Sequence, residues 1–254
     1  MVISTFLERS ISIPTQDIFN SEHNFELVVK RKNKRGLSII VEAGTVIVSA
    51  PDFYYDDEID YYINSKKDWI LKQLDKEKGM PKFKDKNFIN GEILKFLGKD
   101  IELNFIDGNQ TKLLFSDGIL NVKTKNKEKR RSAVEKWYKN SAKEIFTEKT
   151  ASLCDELNLN VPEINVKKYN YVWGKCTRKT INNNYFYKIY FDWRVIQAPL
   201  DVIDYLVTHE VCHLIYFNHS KDFWKLVNEY SNDANNLRKW LDYNRFSLFW
   251  DRPV

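Results

Sequence analysis

The run Tyr205-Leu206-Val207-Thr208-His209-Glu210-Val211-Cys212-His213, with His219 shortly behind it, decides how this chain is read. Apolar residues recur at helical spacing from Val202 to Phe217, behind Pro199-Leu200-Asp201. This predicts a helix with Pro199 near its start, where a missing backbone N–H is harmless. On such a helix His209 and His213 stand one turn apart and project from one face, so both imidazoles reach one ion. Glu210 lies beside them, placed to act as a general base toward a metal-bound water instead of filling the coordination sphere. His219 offers a third nitrogen if the chain turns after His213. Phe217-Asn218 can supply that turn by ending the helix, because Asn tolerates left-handed backbone. Two neutral imidazoles and a third nitrogen suit Zn2+ and leave a fourth position open, which separates a catalytic zinc site from a structural one. Glu229 is a competing third ligand, should the next helix return across the site. Cys212 reads as a small buried hydrophobe.

Composition frames this site. With 254 residues the chain can bury a substantial core and needs no disulfide staples. Cys154, Cys176 and Cys212 are odd in number and lack CxxC spacing, which fits a reducing cytoplasm and argues against a cysteine zinc knuckle. The opening MVISTFLERSIS lacks a signal-peptide pattern, and no run approaches the roughly 18 apolar residues of a membrane span. A cytoplasmic protein without membrane association is therefore expected. A net charge of +5 permits attraction to nucleic acid, but 40 basic residues are offset by 35 acidic ones, so a well-solvated surface explains the charge more simply.

Upstream of the motif, Phe25 to Lys30, Leu37 to Val41 and Val46 to Ser49 read as strands, and Asp56 to Lys76 as one helix with acids early and lysines late. From Gly91 to Val122 short apolar runs are broken by Gly98, Asp107-Gly108 and Asp117-Gly118, the last two being predicted hairpin turns. Apolar residues vanish between Lys123 and Arg131, which suggests a division there. A long helix follows, ending near Leu157. Strands are expected at Ile164 to Lys168 and Tyr185 to Phe191. No internal repeat is evident. The expected class is α+β: a mainly β region with one helix over 1–122, and a region over 123–254 that carries the metal motif and is zincin-like by the family resemblance of that motif. Phe223, Trp224, Val227 and Tyr230 have helical spacing that fits packing on the motif helix.

The motif, continued through Asn218-His219-Ser220 and Phe223-Trp224, resembles the bacterial YgjP-like metallopeptidase-domain family, related in this region to the SprT-like zinc proteases. The resemblance implies that His209, His213 and His219 bind zinc and that Glu210 is the base. Trp173-Gly174-Lys175-Cys176 is similar to a family segment usually read Trp-Gly-Ser-Cys, with lysine replacing serine here. The family also implies a small sheet near the zinc helix, including Tyr185 to Phe191 and Trp193, whose edge can pair with an extended peptide. Trp173, Cys176, Tyr185, Phe191 and Trp193 are accordingly either groove residues or structural support. The spacing to His219 is also similar to that of metzincins, but Tyr216 occupies their glycine position and no methionine lies downstream.

Two functions compete. One is a zinc metallopeptidase acting on a peptide or protein through a Glu-activated, zinc-bound water. The other is a DNA-associated protein with a structural zinc, motivated by basic clusters at Lys30 to Arg35 and Lys123 to Arg131. A recognition helix or stacking platform, which nucleic-acid binding would call for, is not evident.

Overall fold

The computed structural model describes residues 11–12, 25–169, 172–182 and 184–251. The reading of the N-terminal leader therefore lies largely outside the described residues. The chain divides into two compact units between Phe83 and Lys84. Its class is mixed α+β, with a β-rich N-terminal stretch.

In the first unit, β1 (Ile11–Ser12), β2 (Glu26–Arg31), β3 (Ser38–Glu42) and β4 (Thr45–Ala50) form one sheet in the order β1-β2-β4-β3. β2 runs parallel to β4, and β3 antiparallel to it. Ala43 and Gly44 make the turn between β3 and β4, both with positive φ. The alternating Leu27, Val29, Val46 and Val48 bury one face against Ile59, Ile63, Ile70 and Leu74. Those four sit on two helices, α1 (Asp56–Ser65) and α2 (Lys67–Lys78), where the sequence predicts one. Asn64 and Ser65 explain the break. Their side chains bond back to the carbonyls of Asp60 and Tyr62, while the Lys66 N–H closes a tighter turn on the Ile63 carbonyl.

The second unit opens with a sheet of β5 (Ile93–Phe96), β6 (Lys99–Ile106), β7 (Lys112–Ser116) and β8 (Ile119–Lys123). Its order, β5-β6-β8-β7, and its strand directions repeat those of the first sheet. This topological repetition is invisible as sequence self-similarity. Asp117-Gly118 makes the predicted hairpin turn, with φ of 51° and 77°. Asp107-Gly108 does not. It leaves β6, which pairs with β8 and not β7, and the working turn between β5 and β6 is Leu97-Gly98.

The long helix α3 (Arg130–Glu156) starts inside the charged interval. Lys123 to Arg131 is thus a strand end and helix start within one unit, not the division expected there. The reason is packing: Phe96 lies 4.7 Å from Trp137 and edge-on to Tyr138, whose hydroxyl donates to the Lys95 carbonyl at 2.8 Å. Leu103, Leu120 and Val122 share one core with Val134, Ala142 and Phe146.

Beyond α3, β9 (Glu163–Lys167), β10 (Gly174–Ile181) and β11 (Asn184–Asp192) form a third sheet in the order β10-β11-β9. β11 is central, parallel to β9 and antiparallel to β10. Phe191 of β11 stacks on Phe146 with centroids 4.4 Å apart. A 3-10 turn over 193–197 leads into α4 (Leu200–Cys212), followed by α5 (Lys221–Tyr230) and α6 (Ala234–Asn244). Among the described residues no helix is long and apolar enough to cross a membrane.

Because Phe191 is fully buried and joins the third sheet to α3, Phe191→Ala is expected to cost about 3–5 kcal/mol in chemical denaturation. Tyr61→Ala, at a side chain 78% exposed, is expected to stay within about 0.5 kcal/mol of wild type.

Candidate active site

α4 starts at Leu200 with Pro199 at its N-cap, near the expected start, and ends at Cys212, earlier than the apolar periodicity suggests. The C-terminal turn is closed by N–H groups of Ile215 and Tyr216 on the Cys212 carbonyl, and His213 stands at the helix end. Asn218 has no left-handed backbone. Local hydrogen bonding at 212–216, not an Asn cap, turns the chain. His213 Nδ1 contributes by donating to the Tyr216 carbonyl at 3.0 Å, which leaves Nε2 with its lone pair free.

His219 comes back beside His209, with their Nε2 atoms 3.1 Å apart. One ligand atom from each of His209, His213 and His219 lies within 4.8 Å of the others, so the three form a candidate metal-binding group. Glu229 and Cys212 are not part of it: Glu229 is exposed on α5, and Cys212 is buried in the core. Burial is the main cause holding the His209 imidazole down to about 3, helped by the neighbouring imidazoles and Arg238. Burial likewise lowers His213. Both rings are thus neutral near pH 7, the form a metal needs. His209 Nδ1 is buried without a hydrogen-bond partner, and Nε2 is the ring atom that faces His219 in the cluster. The donor set fits a zinc ion.

α5 supplies a shelf for the three rings. Ser220 caps this helix by accepting the Phe223 N–H, which fixes where His219 leaves it. Phe223, fully buried, stacks on His213 with centroids 4.5 Å apart, and Trp224 stacks on His219 at 5.8 Å. The helical spacing of Phe223, Trp224 and Val227 therefore reports packing on the motif helix, as expected.

Glu210 faces away from water, only 4% exposed. Desolvation pushes its carboxyl up to about 8, opposed by one hydrogen bond from the Cys176 backbone N–H. That bond ties α4 to β10. It also explains Gly174, since a Cβ there would stand 2.4 Å from Glu210 Oε1. Sequence reading did not single out Gly174 by itself. Its signal was a glycine at the first position of β10, and its meaning depends on a contact with Glu210, far along the chain.

The remaining predicted residues separate. Phe191 and Trp193 are buried and act as structural support, Trp193 edge-on to Trp250 at 4.8 Å. Trp173 packs near Phe249 and under the Arg194 guanidinium. Tyr185 is exposed, with the Arg178 guanidinium 4.6 Å from its ring centre. The strand carrying Tyr185 to Phe191 is the centre of this sheet, and its edges are β10 and β9. Asp192 and Arg194 were also missed. They form a fully buried ion pair at 2.6 Å, and both engage the Tyr169 backbone.

A helix carrying two histidines and a buried glutamate, with a third histidine folded back onto it, defines a class of candidate metal-dependent hydrolase. The YgjP-like, metallopeptidase domain family matches residues 35–244, and the chain belongs to that family. No curated protein and no solved structure matches it.

Gly174→Ala is expected to drive the Glu210 carboxylate off the Cys176 N–H and to destabilise the protein by about 1–3 kcal/mol. A crystal structure of the variant with Glu210 unmoved would contradict this.

Proposed function

We propose that the protein is a zinc-dependent metallopeptidase of zincin-like architecture, with His209, His213 and His219 as ligands and Glu210 as general base. The observation that carries this reading is the juxtaposition of a three-imidazole cluster with a desolvated carboxyl one residue along the same helix. Zinc, when bound, supplies Lewis acidity toward a scissile carbonyl and toward water. The chain's own residues do the rest. His213 is oriented by the Tyr216 carbonyl and His209 by its buried setting, so neither ring must reorganise to bind. Glu210 takes the proton of the attacking water on its carboxylate and returns it to the leaving amine. The single N–H from Cys176 holds that carboxylate in register without saturating it, leaving acceptor capacity for the water.

Two observations favour a polypeptide substrate. Family membership is the first. The second is β10: it contacts α4 directly, and its outer edge pairs with no strand among the described residues. An extended peptide added there gains main-chain hydrogen bonds beside Glu210.

Glu210→Gln, loaded with zinc, is expected to keep metal and fold while peptide hydrolysis falls by roughly 100-fold or more. Equal hydrolysis by matched zinc-loaded proteins would reject the general-base role. In metal analysis His209→Ala, His213→Ala and His219→Ala are each expected to lose bound zinc, while Glu229→Ala retains it. Zinc loss in the Glu229 variant together with retention in His219→Ala would reassign the third ligand.

A further inference from the structure

We propose that the free edge of β10 selects acidic extended polypeptide segments, with Lys175, Arg178 and Lys179 as the selecting side chains. This deepens, and rests on, the peptidase reading of the adjoining site.

Backbone direction supports it first. In an antiparallel pair, residues alternate between those bonded to the partner strand and those whose N–H and C=O face away. The Cys176 N–H goes to Glu210, so Cys176 belongs to the outward set, with Gly174, Arg178 and Thr180. Past Cys176, therefore, the strand offers main-chain groups that no described strand pairs with, in a line that starts at Glu210. An extended polypeptide matches that line, whereas a phosphodiester backbone carries no alternating N–H and C=O groups to pair with it.

Charge supplies the selectivity. Gly174 to Phe191 contains four basic residues and no acidic one, in a chain whose 40 basic and 35 acidic residues nearly balance. Of the four, Lys188 is already paired with Glu163 at 2.6 Å. Lys175, Arg178 and Lys179 are exposed, and among the described residues no carboxylate lies within ion-pair distance of them. Strand alternation puts Lys175 and Lys179 on one face of the sheet and Arg178 on the other, so side chains of an added strand would meet a cation on either face. Arg178 is also held in place. Its guanidinium sits 4.6 Å from the Tyr185 ring centre and 4.7 Å from that of Phe217, which belongs to the loop joining His213 to His219. Rings on both sides leave its edge free to donate to a carboxylate.

The test uses zinc-loaded Glu210→Gln and two fluorescein-labelled extended peptides of equal length, one alternating Glu with Thr, the other Lys with Thr. Fluorescence anisotropy is expected to show the acidic peptide binding about tenfold more tightly, with the preference shrinking as salt rises. Lys175→Glu/Lys179→Glu in that background is expected to abolish or invert the preference. Because this pair leaves the Arg178 stack intact, retained zinc content and thermal unfolding would show that the fold survives. Equal affinity for the two peptides would overturn the proposal. So would an oligothymidylate that displaces the labelled acidic peptide at lower concentration than the same peptide unlabelled, since that result assigns the surface to nucleic acid. Hydrolysis by wild type separates the two readings. Cleavage of both peptides at equal rates overturns the selectivity and leaves the peptidase standing. Acid-selective binding without cleavage of any peptide keeps the surface and overturns the peptidase.

Discussion

The contact between the Glu210 carboxyl and the backbone of β10 constrains everything around it. A carboxyl removed from water loses hydration that a single N–H does not replace, and its rise to about 8 registers that imbalance. Such a group is tolerable only where the surroundings are fixed. β10 must come close enough for the Cys176 N–H to reach the carboxylate, and that approach leaves no room for a side chain at Gly174. The glycine is required by proximity and not by backbone conformation, since its φ lies outside the left-handed region. Lysine at position 175 costs nothing in this scheme, because its side chain points away from Glu210 and is exposed. A serine hydroxyl is therefore not needed for the contact that holds the carboxylate.

Something must in turn hold the start of β10, and the buried pair Asp192–Arg194 does so. The Asp192 backbone N–H donates to the Trp173 carbonyl, its carboxylate accepts the Tyr169 N–H, and Arg194 donates to the Tyr169 carbonyl while lying 4.4 Å from the Phe249 ring centre. Buried ion pairs gain little net stability over well-packed apolar residues, because desolvation offsets their attraction. What this one supplies is direction. The two charges hold the N–H and the carbonyl of Tyr169, and the Asp192 N–H holds the Trp173 carbonyl next to Gly174, an anchoring that apolar packing alone specifies less sharply.

The metal motif was legible because its information is local. His209, Glu210 and His213 share one helix, so 3.6-residue geometry places them without knowledge of the fold. The long helix and the flanking strands were legible through periodicity for the same reason. Misreadings came where non-local contacts decide. The charged interval at Lys123 looked like a division, but Phe96 and Tyr138 join the sheet before it to the helix after it. Asp107-Gly108 had hairpin chemistry, yet β6 pairs with β8, so its turn residues serve a crossing instead. The single helix expected over 56–76 broke because Asn64 and Ser65 compete for its carbonyls. The repeated sheet topology left no mark in sequence, since strand order depends on which apolar faces meet and many sequences satisfy one pattern. The site's second half, Gly174 and Cys176 against Glu210, is long-range in the same sense.

The two sides of the site consequently differ in character. On one side the imidazoles are immobilised: His213 by the Tyr216 carbonyl and the Phe223 ring, His219 by the Ser220 cap and the Trp224 ring. Loop 214–218 can present exposed Ile215, Tyr216 and Phe217 to solvent because its two ends are fixed by the close of α4 and the cap of α5. On the other side, among the described residues, no strand pairs with the outer edge of β10 and no carboxylate pairs with its cations. An unpaired strand edge invites association, and exposed lysines are a common means of discouraging it. Lys175 and Lys179 thus serve two ends with one charge: they repel like-charged strands, disfavour apolar ones that would desolvate their ammonium groups, and admit a strand that carries acids. Arg178 joins the two sides, because stacking on both Tyr185 and Phe217 couples the hairpin to the loop that delivers the third histidine.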